Sequence, residues 1–144
     1  MTTPVLLFIV CGQRYALAID EVIEVAAMMT VDALPAGHNP ALRGVVVRQG
    51  APLLLADLRQ LLGCSAAPID LETLFIVAQS KDERAGFIVD QIQGVVYLDE
   101  SLLRSVPGGS SFSNGVLTFN ETLVHWLAAG PLMAATLQEP HNET

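Results

Sequence analysis

Lysine is almost missing from this chain: of 144 residues only Lys81 carries an ammonium group, and with 7 basic against 15 acidic residues the net charge is −8. No polybasic patch can form. Sequence-independent nucleic-acid binding needs Lys and Arg to neutralise phosphates, and an anionic membrane surface makes the same demand, so both partners are disfavoured. Cysteine is scarce too. Cys11 and Cys64 cannot build the framework of a small secreted domain, and with no nearby His or clustered cations to lower their pKa they read as inert thiols. No apolar stretch reaches the roughly 18 residues of a membrane span. Met1 runs directly into a strand-like segment, without the features of a secretory leader, so a cytoplasmic protein with no direct membrane insertion is expected.

Catalytic patterns are missing as well. His38, His125 and His141 stand far apart, with no His-Glu-x-x-His and no Cys-x-x-Cys, and their expected roles are structural or solvated. There is no Gly-x-Ser-x-Gly elbow, and Pro107-Gly108-Gly109-Ser110-Ser111 lacks the Lys and the strand-to-helix context of a phosphate loop. Asp20 and Asp90 follow strand-like segments. They read as an acid–base pair across a cleft or, in better accord with strand ends, as carboxylates that bond the backbone of the next turn. A non-enzyme without metal or cofactor is expected.

What is present is a repeat. Leu7-Phe8-Ile9-Val10 recurs as Leu74-Phe75-Ile76-Val77, and Tyr15 to Val25 is answered by Ala85 to Val95; Gly44-Val45-Val46 returns as Gly115-Val116-Leu117. The order is kept while the separation grows from 67 to 71 residues. A unit of this length occurring twice is no solenoid and points to two similar lobes. Lobe one spans about residues 5–64 and lobe two about 72–137 of one 144-residue domain, with residues 138–144 as a tail. Each lobe is marginal alone, so a shared core or an exchange of elements is expected.

The periodicity is that of strands. Val5–Val10, Tyr15–Ile19, Val22–Val25, Gly44–Val47, Leu53–Leu55, Leu74–Ala78, Gly86–Val89, Val95–Leu98, Val116–Phe119 and Leu123–Leu127 are short, rich in β-branched and aromatic residues, and bounded by turn formers. Helix signals are few: Asn39 to Gly44, Asp57 to Gly63 and Pro131 to Leu137 carry a cap, a first-turn Pro or a terminating Gly. The fold class is all-β with a few short helices, each lobe a small barrel closed by a helix.

Three segments, Tyr15 to Val25, Leu42 to Gly63 and Gly86 to Val95, together resemble the CheW family of chemosensory adaptors, and the likeness covers nearly the whole chain. The resemblance implies two five-stranded SH3-like barrels around a shared core and function by contact. One surface would dock the regulatory domain of a CheA-like histidine kinase, and another the helical tip of a chemoreceptor; self-association is a further expectation. Carried over by motif, Val22 and Glu24 match the family's Val-x-Glu segment, Gly44 opens its Gly-Val-x-Asn-Leu-Arg-Gly motif, which ends at Gly50, and Phe75 falls on a strand lining the receptor groove. The chain departs at the motif's centre. Gln49 stands where the family has Arg, Leu54 replaces a Pro, and Arg48, displaced by one, would point to the opposite face unless a bulge restores it. The departure gives an alternative: a scaffold that binds a kinase, itself or another protein without coupling receptors. A ligand or catalytic site at the inter-lobe cleft is the least favoured reading.

Overall fold

Val5 and Leu7 alternate with Leu6, Phe8 and Val10, and all five side chains are buried. A strand apolar on both faces must lie between two cores. The computed structural model describes residues 1–34, 40–65, 67–106 and 111–137. It contains β1 (Thr2–Val10), β2 (Gln13–Ala18), β3 (Val22–Ala27), β4 (Leu42–Arg48), β5 (Ala51–Asp57), α1 (Leu58–Leu61), β6 (Leu74–Ser80), β7 (Glu83–Val89), β8 (Gln91–Asp99), β9 (Ser113–Phe119), β10 (Thr122–Leu127) and α2 (Ala129–Leu137). Single 3-10 turns, Ile19–Glu21 and Glu100–Leu102, precede β3 and follow β8.

All ten expected strands are present, in two five-stranded sheets ordered β8-β1-β2-β10-β9 and β3-β6-β7-β5-β4. The division into residues 5–64 and 72–137 marks the sequence repeat, not the sheets. The first sheet joins β1 and β2 of the first half to three strands of the second half, and the second sheet joins β6 and β7 to three strands of the first. The repeat governs the register: Ala16 pairs in parallel with Trp126, and their repeat mates Gly86 and Leu55 pair the same way.

Each sheet closes into a barrel at equivalent residues. Asp32, beyond β3, exchanges both backbone hydrogen bonds with Val45 of β4 at 2.8 Å, and Arg104, beyond β8, does so with Val116 of β9 at 2.8 Å. The residue before each valine is the repeated glycine. A Cβ on Gly44 would collide with the Asp32 carbonyl, and one on Gly115 would lie 2.8 Å from the Arg104 carbonyl; both also have positive φ, 147° and 136°. Gly44 is therefore a closure residue.

Three apolar clusters follow. Val5, Leu7, Ala16, Leu98, Leu117, Val124 and Trp126 fill the first barrel, and Ala26, Val46, Leu53, Leu55, Phe75, Val77 and Ile88 fill the second. The largest lies between the barrels, where Leu6, Phe8, Leu17, Ile76, Phe87, Leu127 and the α2 residues Leu132 and Met133 pack together. Burying side chains of this size contributes about 1.5–3 kcal/mol each.

Two expectations need correction. The helix read from Asn39 to Gly44 is not formed: Pro40 and Ala41 make a turn, and Leu42 already belongs to β4 because Val45 must reach Asp32. Cys11 and Cys64 are not separate thiols. They form a disulfide across a sequence separation of 53, with Cα atoms 6.6 Å apart, because strand exchange brings the β1–β2 turn beside the end of α1. The helices at Asp57 and Pro131 are present; Asp57 caps α1 through Oδ1, which accepts from the Arg59 N–H at 3.0 Å, and α2 begins at Ala129. His38, Asn39, His141, Pro107 to Ser110 and the tail lie outside the described residues.

Candidate functional site

Side chains alternate along a strand, so Glu24 shares the inner face of β3 with Ala26, Arg48 that of β4 with Val46, and Arg84 that of β7 with Gly86 and Ile88. Ala26, Val46 and Ile88 all belong to the core of the second barrel. Glu24, Arg48 and Arg84 therefore meet at one end of that barrel, at its mouth. A cavity of about 260 Å³ lies there, lined by these three residues with Ile23, Gln49, Ala51, Pro52, Leu53, Val77 and Asp82. Arg48 donates from Nη2 to Glu24 Oε1 and forms an ion pair with it, joining the two outer strands of the second sheet. Both side chains are about 30% exposed: 29% for Glu24 and 32% for Arg48. Irregular pairing between Leu42 and Gly44 on β4, and between Val22 and Glu24 on β3, sets this register.

Arg48, Gln49 and Glu24 thus come together at the mouth, and Gly50 shapes the turn beside it. Gln49 and Gly50 form the two-residue turn joining β4 to β5, with φ of 51° and 79°; Asn120 and Glu121 turn the equivalent hairpin of the first barrel at 50° and 64°. The Gln49 side chain is exposed and Arg48 is the cation that meets Glu24. Val22 is half-buried against the shared core. Phe75 is fully buried inside the second barrel, with its ring 3.0 Å from where a Gly86 Cβ would stand, so it supports the wall from inside and is not exposed at the surface.

Around the mouth the outer strands leave apolar side chains uncovered. Ile23 and Val25 on β3 and Val47 on β4 are exposed, as are Val95 and Tyr97 on β8, the outer strand of the first sheet. Such surfaces suit docking against another protein.

A buried polar network lies elsewhere in the second barrel. Asp57 is wholly buried, and its carboxylate accepts from Arg59 Nε at 2.8 Å, Arg59 Nη2 at 2.9 Å and Arg43 Nη1 at 2.8 Å. The hydrogen bonds to Asp57 raise the Arg59 pKa, against desolvation. Arg59 Nη1 stands 3.5 Å from Asp90 Oδ1, and Asp90 Oδ2 accepts from the Cys11 N–H at 2.7 Å. Asp90 thus holds a turn from the other half of the chain. Asp20 lies exposed on the 3-10 turn before β3, and no contact joins it to Asp90 among the described residues. The acid–base pairing of the two is not formed.

A further hollow of about 310 Å³ is lined by Tyr15, His125, Ser113 and Val116 among others. Burial raises the Tyr15 pKa and lowers that of His125, whose Nε2 is 3.2 Å from Gln13 Oε1. No group of His, Cys, Asp and Glu suited to a metal ion occurs among the described residues. No described helix is long and apolar enough to cross a membrane.

The sequence reading missed Arg84. Its signal was available, since Arg84 is the repeat mate of Arg14 in the same alignment that pairs Asp20 with Asp90.

A family model described as the CheW-like domain matches residues 4–136. The chain is 30% identical over 104 residues to the chemotaxis protein CheW of Bacillus subtilis, a match covering 72% of this chain and 66% of that protein. It is 26% identical over 138 residues to a probable chemotaxis protein CheW of Rhizobium etli, covering 92% and 88% respectively. The crystal structure of the scaffolding protein TtCheW from Thermoanaerobacter tengcongensis superposes with a TM-score of 0.79 at 20% identity, covering 88% of this chain and 89% of that one.

Proposed function

Because the chain belongs to the CheW-like family, non-catalytic scaffold proteins of chemotaxis, we propose that it links a CheA-like histidine kinase to chemoreceptors in a cytoplasmic signalling array. The kinase would be held by its regulatory domain and the receptor by its helical tip. The observation that carries this reading is the second barrel's mouth. There Glu24 and Arg48, from two separate family-like segments, form an ion pair beside exposed Ile23, Val25 and Val47. An apolar surface with a small number of oriented charges suits helix or barrel docking, where apolar anchors supply affinity and charges supply discrimination.

The departure at Gln49 weighs less against receptor coupling than the sequence suggests, since Arg48 supplies a guanidinium at the same mouth. The alternative scaffold, which holds a kinase, itself or another protein without coupling receptors, rests on the exposed carboxamide at the turn. The two readings part in one experiment. The purified chain is mixed with the regulatory domain of each CheA-like kinase encoded in its own genome, then with receptor-tip hairpins, and followed by size-exclusion chromatography and calorimetry. A complex with both supports coupling, and a complex with the kinase alone supports the alternative. Elution as a clean monomer with every candidate at tens of micromolar overturns both.

A further inference from the structure

The two barrels are built alike, yet their mouths are finished differently. In the first, Arg14 on β2 lies over the Phe119 ring, its guanidinium carbon 5.6 Å from the ring centroid. Its Nη1 donates to the Phe119 carbonyl at 3.0 Å and its Nε to Gln93 Oε1 at 3.2 Å. A cation thus stacks on a ring at that mouth.

The repeat mates of these three residues in the second barrel are Arg84, Arg48 and Ile23. The arginine is retained, but its ring and its carboxamide are gone. The Arg84 side chain is exposed and makes no hydrogen bond, ion pair or ring contact among the described residues. Arg48 turns to Glu24 and leaves its own Nε buried without an acceptor. Between them remains the cavity of about 260 Å³, walled by the apolar side chains of Ile23, Pro52, Leu53 and Val77.

We infer that the mouth of the second barrel takes an aromatic side chain from a protein partner, which stacks under Arg84 as Phe119 stacks under Arg14. The first barrel shows what such a mouth accommodates: a ring against apolar walls with a guanidinium over its face. The inference deepens the docking reading, which is needed only to say who supplies the ring.

The test uses the intact protein and N-acetyl-phenylalaninamide as probe, with methyl NMR shifts read during titration to tens of millimolar. Ring-current shifts are expected at Ile23, Leu53 and Val77, with none at Leu117 or Val124 inside the first barrel. N-acetyl-leucinamide at the same concentrations is expected to shift them far less. Arg84→Leu is expected to weaken the probe's binding about tenfold, the loss of one desolvated cation–ring contact. Arg48→Phe, which restores a ring at the position of Phe119, is expected to abolish it. Absent shifts, equal response to the leucine amide, or shifts unchanged in Arg84→Leu overturn the inference. Because the probe needs no kinase or receptor, such a failure is distinct from failure of the chain to bind either protein.

Discussion

Arg48 on β4 and Glu24 on β3 join the two outer strands of one sheet across the mouth of the barrel they close. Each belongs to a different segment of family likeness, and neither is adjacent to the other in sequence or in the sheet. The pair fixes where a charge of each sign stands on a surface otherwise lined by Ile23, Pro52, Leu53 and Val77.

Reversing one charge of this pair is expected to weaken binding of the kinase regulatory domain or the receptor tip about tenfold, through like-charge contact at the docking surface. Glu24→Arg with Arg48→Glu together is expected to recover part of that loss. Folding stability should change by less than about 1 kcal/mol in any of the three, since a partly exposed pair contributes little. Calorimetry and urea unfolding on the same samples separate the two effects, and a large loss of stability would count against a docking role.

Gln49→Arg is expected to leave receptor-tip affinity unchanged within about twofold, because Arg48 already stands at the mouth and position 49 is a turn residue with positive φ. Gln49→Gly should instead raise stability by about 1 kcal/mol, the cost of left-handed backbone at a residue with a Cβ. A clear gain in coupling with Arg would show that position 49 itself reads the receptor.

Asp57 accepts from Arg43 and Arg59 while wholly buried, so its replacement leaves Arg43 without its anion and Arg59 with only the more distant Asp90. Asp57→Asn is expected to cost about 3–5 kcal/mol, measured from the urea midpoint. A cost below about 1 kcal/mol would mean that the network adds nothing to the fold.

The Cys11–Cys64 bond closes a long loop and joins the β1–β2 turn to the end of α1. Chain entropy for a separation of this size gives about 4 kcal/mol of stabilisation, lost on treatment with a dithiol or in Cys64→Ser. Unfolding of oxidised and reduced protein measures it. Thiol titration of the denatured, unreduced protein is expected to find no free cysteine.

Glu21 Oε2 accepts the Ala129 N–H at 3.3 Å, at the start of α2. Burial raises its pKa above the ordinary 4.5; the bond from Ala129 opposes this and the nearby Asp20 charge adds to it. The folded protein therefore holds this proton more tightly than the unfolded chain. Its contribution to stability is fully present below the unfolded value and is lost as pH rises through the raised folded value. Glu21→Gln keeps an acceptor without the charge and is expected to flatten that decline in melting temperature, while an unchanged profile would assign the decline to other groups.

The strands were legible because their residues alternate or are apolar on both faces, and the repeat announced two barrels. The assignment of strands to barrels was not legible, since Leu6 to Val10 pair equally well, by pattern alone, with strands of either half. Gly44 was legible as the opening of the family motif; the closeness of the Asp32 carbonyl, which requires a glycine there, is revealed by no local pattern. The burial of Phe75 was equally hidden, set by the barrel that surrounds it. Cys11 and Cys64 looked inert because each was judged by its sequence neighbours, while strand exchange supplies the neighbour that matters.

Protein synthesis delivers these strands in order, and the exchange makes the order matter. When β5 is complete on the ribosome, β1 and β2 still lack β8 and β10 on either side, while β3 and β5 wait for β6 and β7. A nascent half-chain holds no finished sheet, only open edges. The fused chain has the topology of two half-length molecules that have traded strands, tied together by the connection from α1 to β6. Two copies of one half would be bound to have identical mouths. Joining the halves in one gene removes that obligation, so one barrel end could carry a phenylalanine under its arginine while the other kept Arg84 exposed.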